Sequence, residues 1–128
     1  MVMDYNRVVK DLNGMTKEEL LTKLEEKFII TKSENNIPVK PDKKHTFGMY
    51  VENEWYMLES KMGTFNENDL IEKLDVTILQ NNILTPILAL DDVRTSDRID
   101  FIGGIRGVNE LEKRVNSDMK IAFSMCPT

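Results

Sequence analysis

The segment with the most chemistry per residue is Asp91-Asp92-Val93-Arg94-Thr95-Ser96-Asp97-Arg98-Ile99-Asp100-Phe101-Ile102-Gly103-Gly104-Ile105-Arg106-Gly107. Three arginines, four aspartates and three glycines fall within these 17 residues. An apolar alternation ends at Gly103-Gly104, and a helical pattern begins near Val108. Glycines at such a junction let backbone N–H groups approach an anion closely. A helix N-terminus adds partial positive charge, and an arginine supplies a bidentate fork. Arg94, Arg98, Asp100, Gly103, Gly104, Arg106 and Gly107 are therefore the candidate ligand-binding residues, and the ligand would be a phosphate or carboxylate. The same residues also fit a glycine turn flanked by surface arginine–aspartate pairs, each worth little. The spacing is neither a dinucleotide fingerprint nor a P-loop.

Other reactive side chains are sparse. There is one cysteine, Cys126, and one histidine, His45. An internal disulfide is impossible, and a Cys/His zinc site lacks its ligand count. The cysteine usage fits a reducing compartment, and a cytoplasmic location is expected. Cys126 reads as a small apolar residue at a strand end, His45 as a solvated residue where a strand starts. Asp91-Asp92 and Glu18-Glu19 read as solvated charges. No spacing suggests a nucleophile–base pair, and no cofactor motif is evident.

The elements that must position these residues follow from periodicity. Asp4–Leu12 alternates as a strand. Thr16 and Glu19 form a capping box, with Met15 and Leu20 at staple spacing, which predicts a helix over 17–27. Residues 28–31 read as a short strand. Residues 32–44, with Pro38 and Pro41, read as a long loop. Residues 46–52 and 55–61 predict a hairpin around Asn53-Glu54, although Asn-Glu is not a favoured turn pair. Asn66 and Asp75 have the surroundings of caps for two more helices, the second ended or kinked by Pro86. Residues 98–102 predict a strand, 108–116 a helix and 119–125 a final strand. The expected fold is α+β, a mixed, largely antiparallel sheet with helices mainly on one face, in a single domain over residues 1–128.

Composition sets outer bounds. The chain has 128 residues, 41% hydrophobic and 30% charged, which suits one globular core. A net charge of −5 disfavours general nucleic-acid binding. No apolar run approaches membrane-spanning length, and no signal-peptide pattern opens the chain. The eight methionines and half-buried strands would also serve a homodimer interface.

Several blocks together resemble a known family. They are Asp4–Leu12, His45–Leu58 (HTFGMYVENEWYML), Leu74–Gln80, Arg94–Gly107 and Ala122–Pro127. In order, they are similar to the bacterial domain-of-unknown-function 1015 family. The resemblance implies that the chain is a portion of a longer protein whose remainder would be its partner. Upstream, the family resembles ParB-like and free-serine-kinase-like proteins and carries an Asp-Gly-His-His-Arg motif. That motif does not occur here, so kinase or partition activity is not carried over. Three functions stay open. The first is a non-catalytic portion contributing a phosphate- or nucleotide-binding loop at 94–107. The second is a structural or self-association module. The third is part of a nucleotide-dependent small-molecule kinase whose catalytic motif lies elsewhere.

Overall fold

A computed structural model describes residues 5–37, 39, 44–61, 63, 66, 68–70, 74–90, 97–103 and 108–125. Six strands form one sheet: β1 (Tyr5–Val9), β2 (Phe28–Lys32), β3 (Thr46–Val51), β4 (Glu54–Ser60), β5 (Ile99–Gly103) and β6 (Ile121–Met125). Their order is β2-β4-β3-β6-β1-β5, and every described pairing is antiparallel. Three helices cover it: α1 (Lys17–Leu24), α2 (Asp75–Leu79, continuing as a π-helix over Gln80–Leu84) and α3 (Val108–Val115). The fold class is the α+β arrangement expected from the sequence.

The strands alternate between two buried faces. On the first, Val9, Phe28, Phe47, Met49, Leu58, Ile121 and Phe123 meet Leu20 and Leu24 of α1 and Ile78, Leu79 and Ile83 of α2. Phe28 and Phe47 stack edge-to-face, centroids 6.0 Å apart at 87°. On the second face, Val8, Tyr50, Trp55, Ile102 and Ala122 meet Leu111 and Val115 of α3. Two helices thus lie on one face and one on the other. Burial on both sides explains why β3 and β6 are apolar at nearly every position.

Local chemistry sets the element ends. The Thr16 hydroxyl accepts from the Glu19 N–H and the Glu19 carboxylate accepts from the Thr16 N–H, both at 3.2 Å. This is the expected capping box. α1 stops at Leu24, short of the expected Lys27, because Glu26 and Lys27 bond back to Lys23 and Leu24 in tight i→i−3 turns. That tightening delivers Phe28 into the core.

The hairpin turn sits one residue earlier than expected. Val51 pairs with Glu54, so Glu52 and Asn53 are the central residues, at φ 49° and 64°. Two adjacent left-handed residues are what a type I′ hairpin turn requires, and its twist matches that of the strands. Ladder geometry outweighed the unfavoured turn composition.

At the expected second helix, the Asn66 side chain accepts from the Asn68 N–H at 3.0 Å; residues 67 and 71–73 of that stretch lie outside the described residues. The capping place of α2 falls on Leu74, whose carbonyl accepts from Thr77 and Ile78, rather than on Asp75. Pro86 lacks an N–H, and the helix widens before it: Thr85 bonds to Gln80 at 3.0 Å, an i→i−5 step.

Gly48 marks a close crossing on the second face. The Ser124 hydroxyl donates to the Val39 carbonyl at 2.8 Å across it. A Cβ at Gly48 would collide with the Ser124 Oγ and lie 2.7 Å from that carbonyl. The long loop after β2 can therefore pass directly over the sheet here.

Candidate functional site

Arg98 immediately precedes β5, and its side chain is committed. Nε and Nη2 donate to both carboxylate oxygens of Asp11 at 3.0 and 2.6 Å. Nη2 and Nη1 also donate to the Leu88 and Ala89 carbonyls at 2.7 and 3.2 Å. These carbonyls belong to the turn that closes α2, where freed C=O groups favour a cation. The hydrogen bond from Arg98 holds the Asp11 carboxyl below its usual range, and Asp11 in turn raises the Arg98 guanidinium. The Asn13 side chain adds a bond to the Ile87 carbonyl at 3.3 Å. Arg98 thus clasps the end of α2 to the loop after β1.

Asp100, on β5, is held from α3: Arg114 Nη1 lies 3.0 Å from its Oδ2. Its Oδ1 accepts from the Phe101 N–H at 2.8 Å. Arg114 also grips Asp118 at 3.0 and 3.2 Å. Gly103 is the last residue of β5 and pairs with Tyr5. Arg94, Gly104, Arg106 and Gly107 lie outside the described residues, as does Cys126.

β5 therefore separates the candidate residues. Arg98 stands before its first residue and Gly103 is its last. Five strand steps of about 3.3 Å place their Cα atoms roughly 16 Å apart. Arg98 and the Gly103 end do not meet in one pocket. The Gly103–Gly107 stretch connects β5 directly to α3, and both of those elements are fixed. β5 is laddered to β1, while α3 is held by Leu111, by Arg114 on Asp100, and by the Trp55 indole, which donates to Glu112 at 2.7 Å.

Sequence reading missed a second cluster. Lys32, Ser33, Glu34, Asn35, Asn53 and Glu54 line an open depression of about 520 Å³. Beside it, Lys17 and Lys32 reach the two carboxylate oxygens of Glu54 at 2.6 and 2.5 Å. Hydrogen bonds from Lys17 and then Lys32 pull the Glu54 carboxyl down to about 2, and Glu54 pushes the Lys17 ammonium up to about 12. The partners come from α1, β2 and β4, and the β2–β4 pairing together with the seat of α1 on the sheet brings them together. No spacing along the chain signals it.

The direction of these shifts bears on chemistry. A lysine or carboxyl that transfers protons near neutrality is tuned toward pH 7. Asp11, Glu54 and Asp118 shift down, and Lys17, Lys32, Arg98 and Arg114 shift up, each away from it. Their described role is pairing. His45 has a positive φ of 69° and is half-buried, and its carbonyl accepts the Ser60 N–H at 3.0 Å. Among the described residues no cluster of three His, Cys, Asp or Glu could hold a metal, and no helix is long and apolar enough to cross a membrane.

Among the described residues, fold and site define an α+β protein with one antiparallel sheet, in which Arg98–Asp11, Arg114–Asp100 and Lys17–Glu54–Lys32 clasp neighbouring elements. The chain belongs to the family described as protein of unknown function (DUF1015), whose pattern matches residues 1–77. That match runs from β1 into α2, and the Arg94–Gly107 block lies beyond it. No curated protein and no solved structure matches the chain.

Proposed function

We propose that this chain is a non-catalytic, cytoplasmic portion of a larger bacterial protein, and that it presents an anion-binding turn where β5 passes into α3. The ligand class is a small phosphorylated molecule or nucleotide, held by the Gly103–Gly107 backbone and by Arg106. The supporting observation is the short connection between two fixed elements, Gly103 at a strand end and Val108 at a helix start. The amides at the start of α3 add partial positive charge. Arg98 has another role in this reading: it is the clasp on Asp11, one strand length away. The likeness of the wider family to ParB-like and free-serine-kinase-like proteins fits a phosphate-bearing ligand, with the reactive motif outside this chain.

Calorimetric titration with inorganic phosphate, phosphoserine and a nucleoside triphosphate tests the proposal. At least one probe should bind, and Arg106→Ala should weaken it at least tenfold while the unfolding midpoint stays unchanged. Absence of binding by all three, or equal binding by Arg106→Ala, overturns it.

A further inference from the structure

Asn13 is the only asparagine of the chain that is followed by glycine. In that pair the carboxamide carbon can be reached by the next backbone nitrogen with the least hindrance, because glycine has no Cβ to shield it. The fold sets the pair at the centre of a tight turn between β1 and α1. The Met15 N–H donates to the Leu12 carbonyl at 3.0 Å, with Asn13 and Gly14 at φ 54° and 78°, both left-handed as in a type I′ turn. Both residues are exposed, and a Cβ at Gly14 would meet nothing within 4 Å. Among the described residues the Gly14 N–H has no acceptor.

The Asn13 side chain also has a structural task. Its Nδ2 donates to the Ile87 carbonyl at 3.3 Å, while its backbone N–H donates to Asp11 Oδ1 at 2.9 Å. Asp11 is the carboxylate that Arg98 grips, and Arg98 takes the next two carbonyls, those of Leu88 and Ala89. Ala89 stands at φ 57°, a left-handed conformation that costs an alanine energy and persists only where its surroundings enforce it. The turn that closes α2 is therefore held at three successive carbonyls by two side chains. One of the two is the asparagine whose sequence neighbour makes it labile.

We propose that Asn13 is a site of spontaneous covalent modification, deamidation through a cyclic imide, and that its conversion loosens the hold on the end of α2. The Gly14 nitrogen gives its proton to hydroxide and attacks Cγ of Asn13. A bond forms between that nitrogen and Cγ, the Cγ–Nδ2 bond breaks, and the departing nitrogen takes a proton from water and leaves as ammonia. Water then adds to one of the two imide carbonyls. Opening at one returns aspartate; opening at the other gives isoaspartate, in which the main chain runs through the former side chain. Water is the only co-reactant. Either product lacks the amide hydrogens of Asn13, so the donor to Ile87 is lost, and a carboxylate now stands where that carbonyl needs a donor. The new charge also lies two residues from Asp11 and competes with it for Arg98. Isoaspartate in addition lengthens the main chain by a methylene inside the turn. The site is remote in the chain from the β5–α3 turn and does not rest on anion binding there.

Ageing the full chain at mildly alkaline pH, followed by peptide mass mapping with fragmentation that separates isoaspartate from aspartate, tests the proposal. Conversion at Asn13 should run at least tenfold faster than at Asn116, which is equally exposed but precedes serine. Converted chain, separated from the parent by its added charge, should show at least tenfold faster hydrogen exchange at the Leu88 and Leu90 amides, which bond back to Ile83 and Leu84. Asn13→Gln keeps a carboxamide but must close a larger ring, so in it both the conversion and the ageing-dependent exchange should vanish. A rate at Asn13 no faster than at Asn116 overturns the proposal. So does converted chain that exchanges like the parent at Leu88 and Leu90, or an ageing effect on those amides that persists in Asn13→Gln.

Discussion

The two edges of the sheet spend their charges on different tasks. At the β5 edge, charged side chains act on the backbone: Asp100 takes the outward Phe101 amide, and Arg98 takes the carbonyls of Leu88 and Ala89. At the β2 edge, charged side chains act on one another. Lys17, Lys32 and Glu54 tie α1 to the hairpin and leave the outward peptide groups of β2 alone. Both edges are rich in charge, yet among the described residues only the β5 edge has an outward amide taken by a side chain. Counting charged residues near an edge therefore does not say whether the edge is protected; what matters is whether a side chain reaches a main-chain group.

The largest effect on this comparison should come from removing the β5 clasp. Arg98→Ala deletes a bidentate carboxylate pair and two bonds to carbonyls that close α2. Hydrogen bonds to charged groups of this kind suggest a loss of about 2 kcal/mol in denaturant unfolding. Arg98→Lys should recover only part of it, because a point charge cannot reproduce the fork. A loss no greater than that of an ordinary surface arginine would mean that the β5 side is not the more tightly locked one.

A smaller effect is expected from Asp100→Ala. Its partner Arg114 keeps Asp118, so stability should fall by no more than about 1 kcal/mol. The more telling readout is association. With the Phe101 amide released and Phe101 itself 37% exposed, the β5 edge should now pair between molecules, seen as a rise in sedimenting mass over the parent. An unchanged mass would show that the Asp100 carboxylate is not what closes this edge.

Smaller still is the turn at the other end of the comparison. Glu52 occupies a left-handed conformation at φ 49°, which an L side chain adopts at a cost. Glu52→Asn should stabilise the hairpin by roughly 0.5 kcal/mol, since Asn tolerates that region. Thermal unfolding checks it: a lower midpoint would mean that the Glu52 side chain is more than a spacer.

What the chain revealed in advance was its short-range physics. Thr16 with Glu19 could be read because both partners of the capping box lie within one helical turn. Strand alternation was legible wherever it ran for several residues. The turn at Glu52-Asn53 was misplaced because Glu52 does not advertise the positive φ that it adopts beside Asn53, and the register was settled by pairing with β2 and β6. The charged run 91–107 holds four aspartates among its three arginines, which suggested pairing within the run. In the fold, Arg98 instead finds Asp11, 87 positions away, and Asp100 finds Arg114 of α3. Glu54 and Lys17 are 37 positions apart. Such partners depend on strand order, which no local pattern encodes. The separation of Arg98 from Gly103 has the same origin: a five-residue strand reads as adjacency in sequence and as a wide gap in space.

The subtlest test concerns the β2 side and reads a pH dependence that appears only in acid. Glu54 is ionised at about 2 in the fold, well below its ordinary value, because Lys17 and Lys32 hydrogen-bond its charged form. The unfolded chain binds a proton there near pH 4.5. Below that point the unfolded state takes up a proton that the folded state resists. The stability contributed by Glu54 is therefore complete above about pH 4.5 and drains away as pH falls toward 2. Lys17 gives the mirror image: raised to about 12, its contribution holds below its ordinary range and is lost as pH climbs through 12. Urea unfolding of the parent and of Glu54→Gln should differ by a constant amount from about pH 5 to 9. The two curves should converge as pH falls to 2. Salt should narrow the neutral-pH gap, since the cluster is partly exposed. Asp11 is also held low, by Arg98, so both proteins should retain its share of acid sensitivity. Convergence confined to the Glu54 difference would assign that share of the acid response to the β2 edge. A gap that persists at pH 2 would mean that Glu54 acts through packing rather than charge, and the contrast between the edges would lose its electrostatic half.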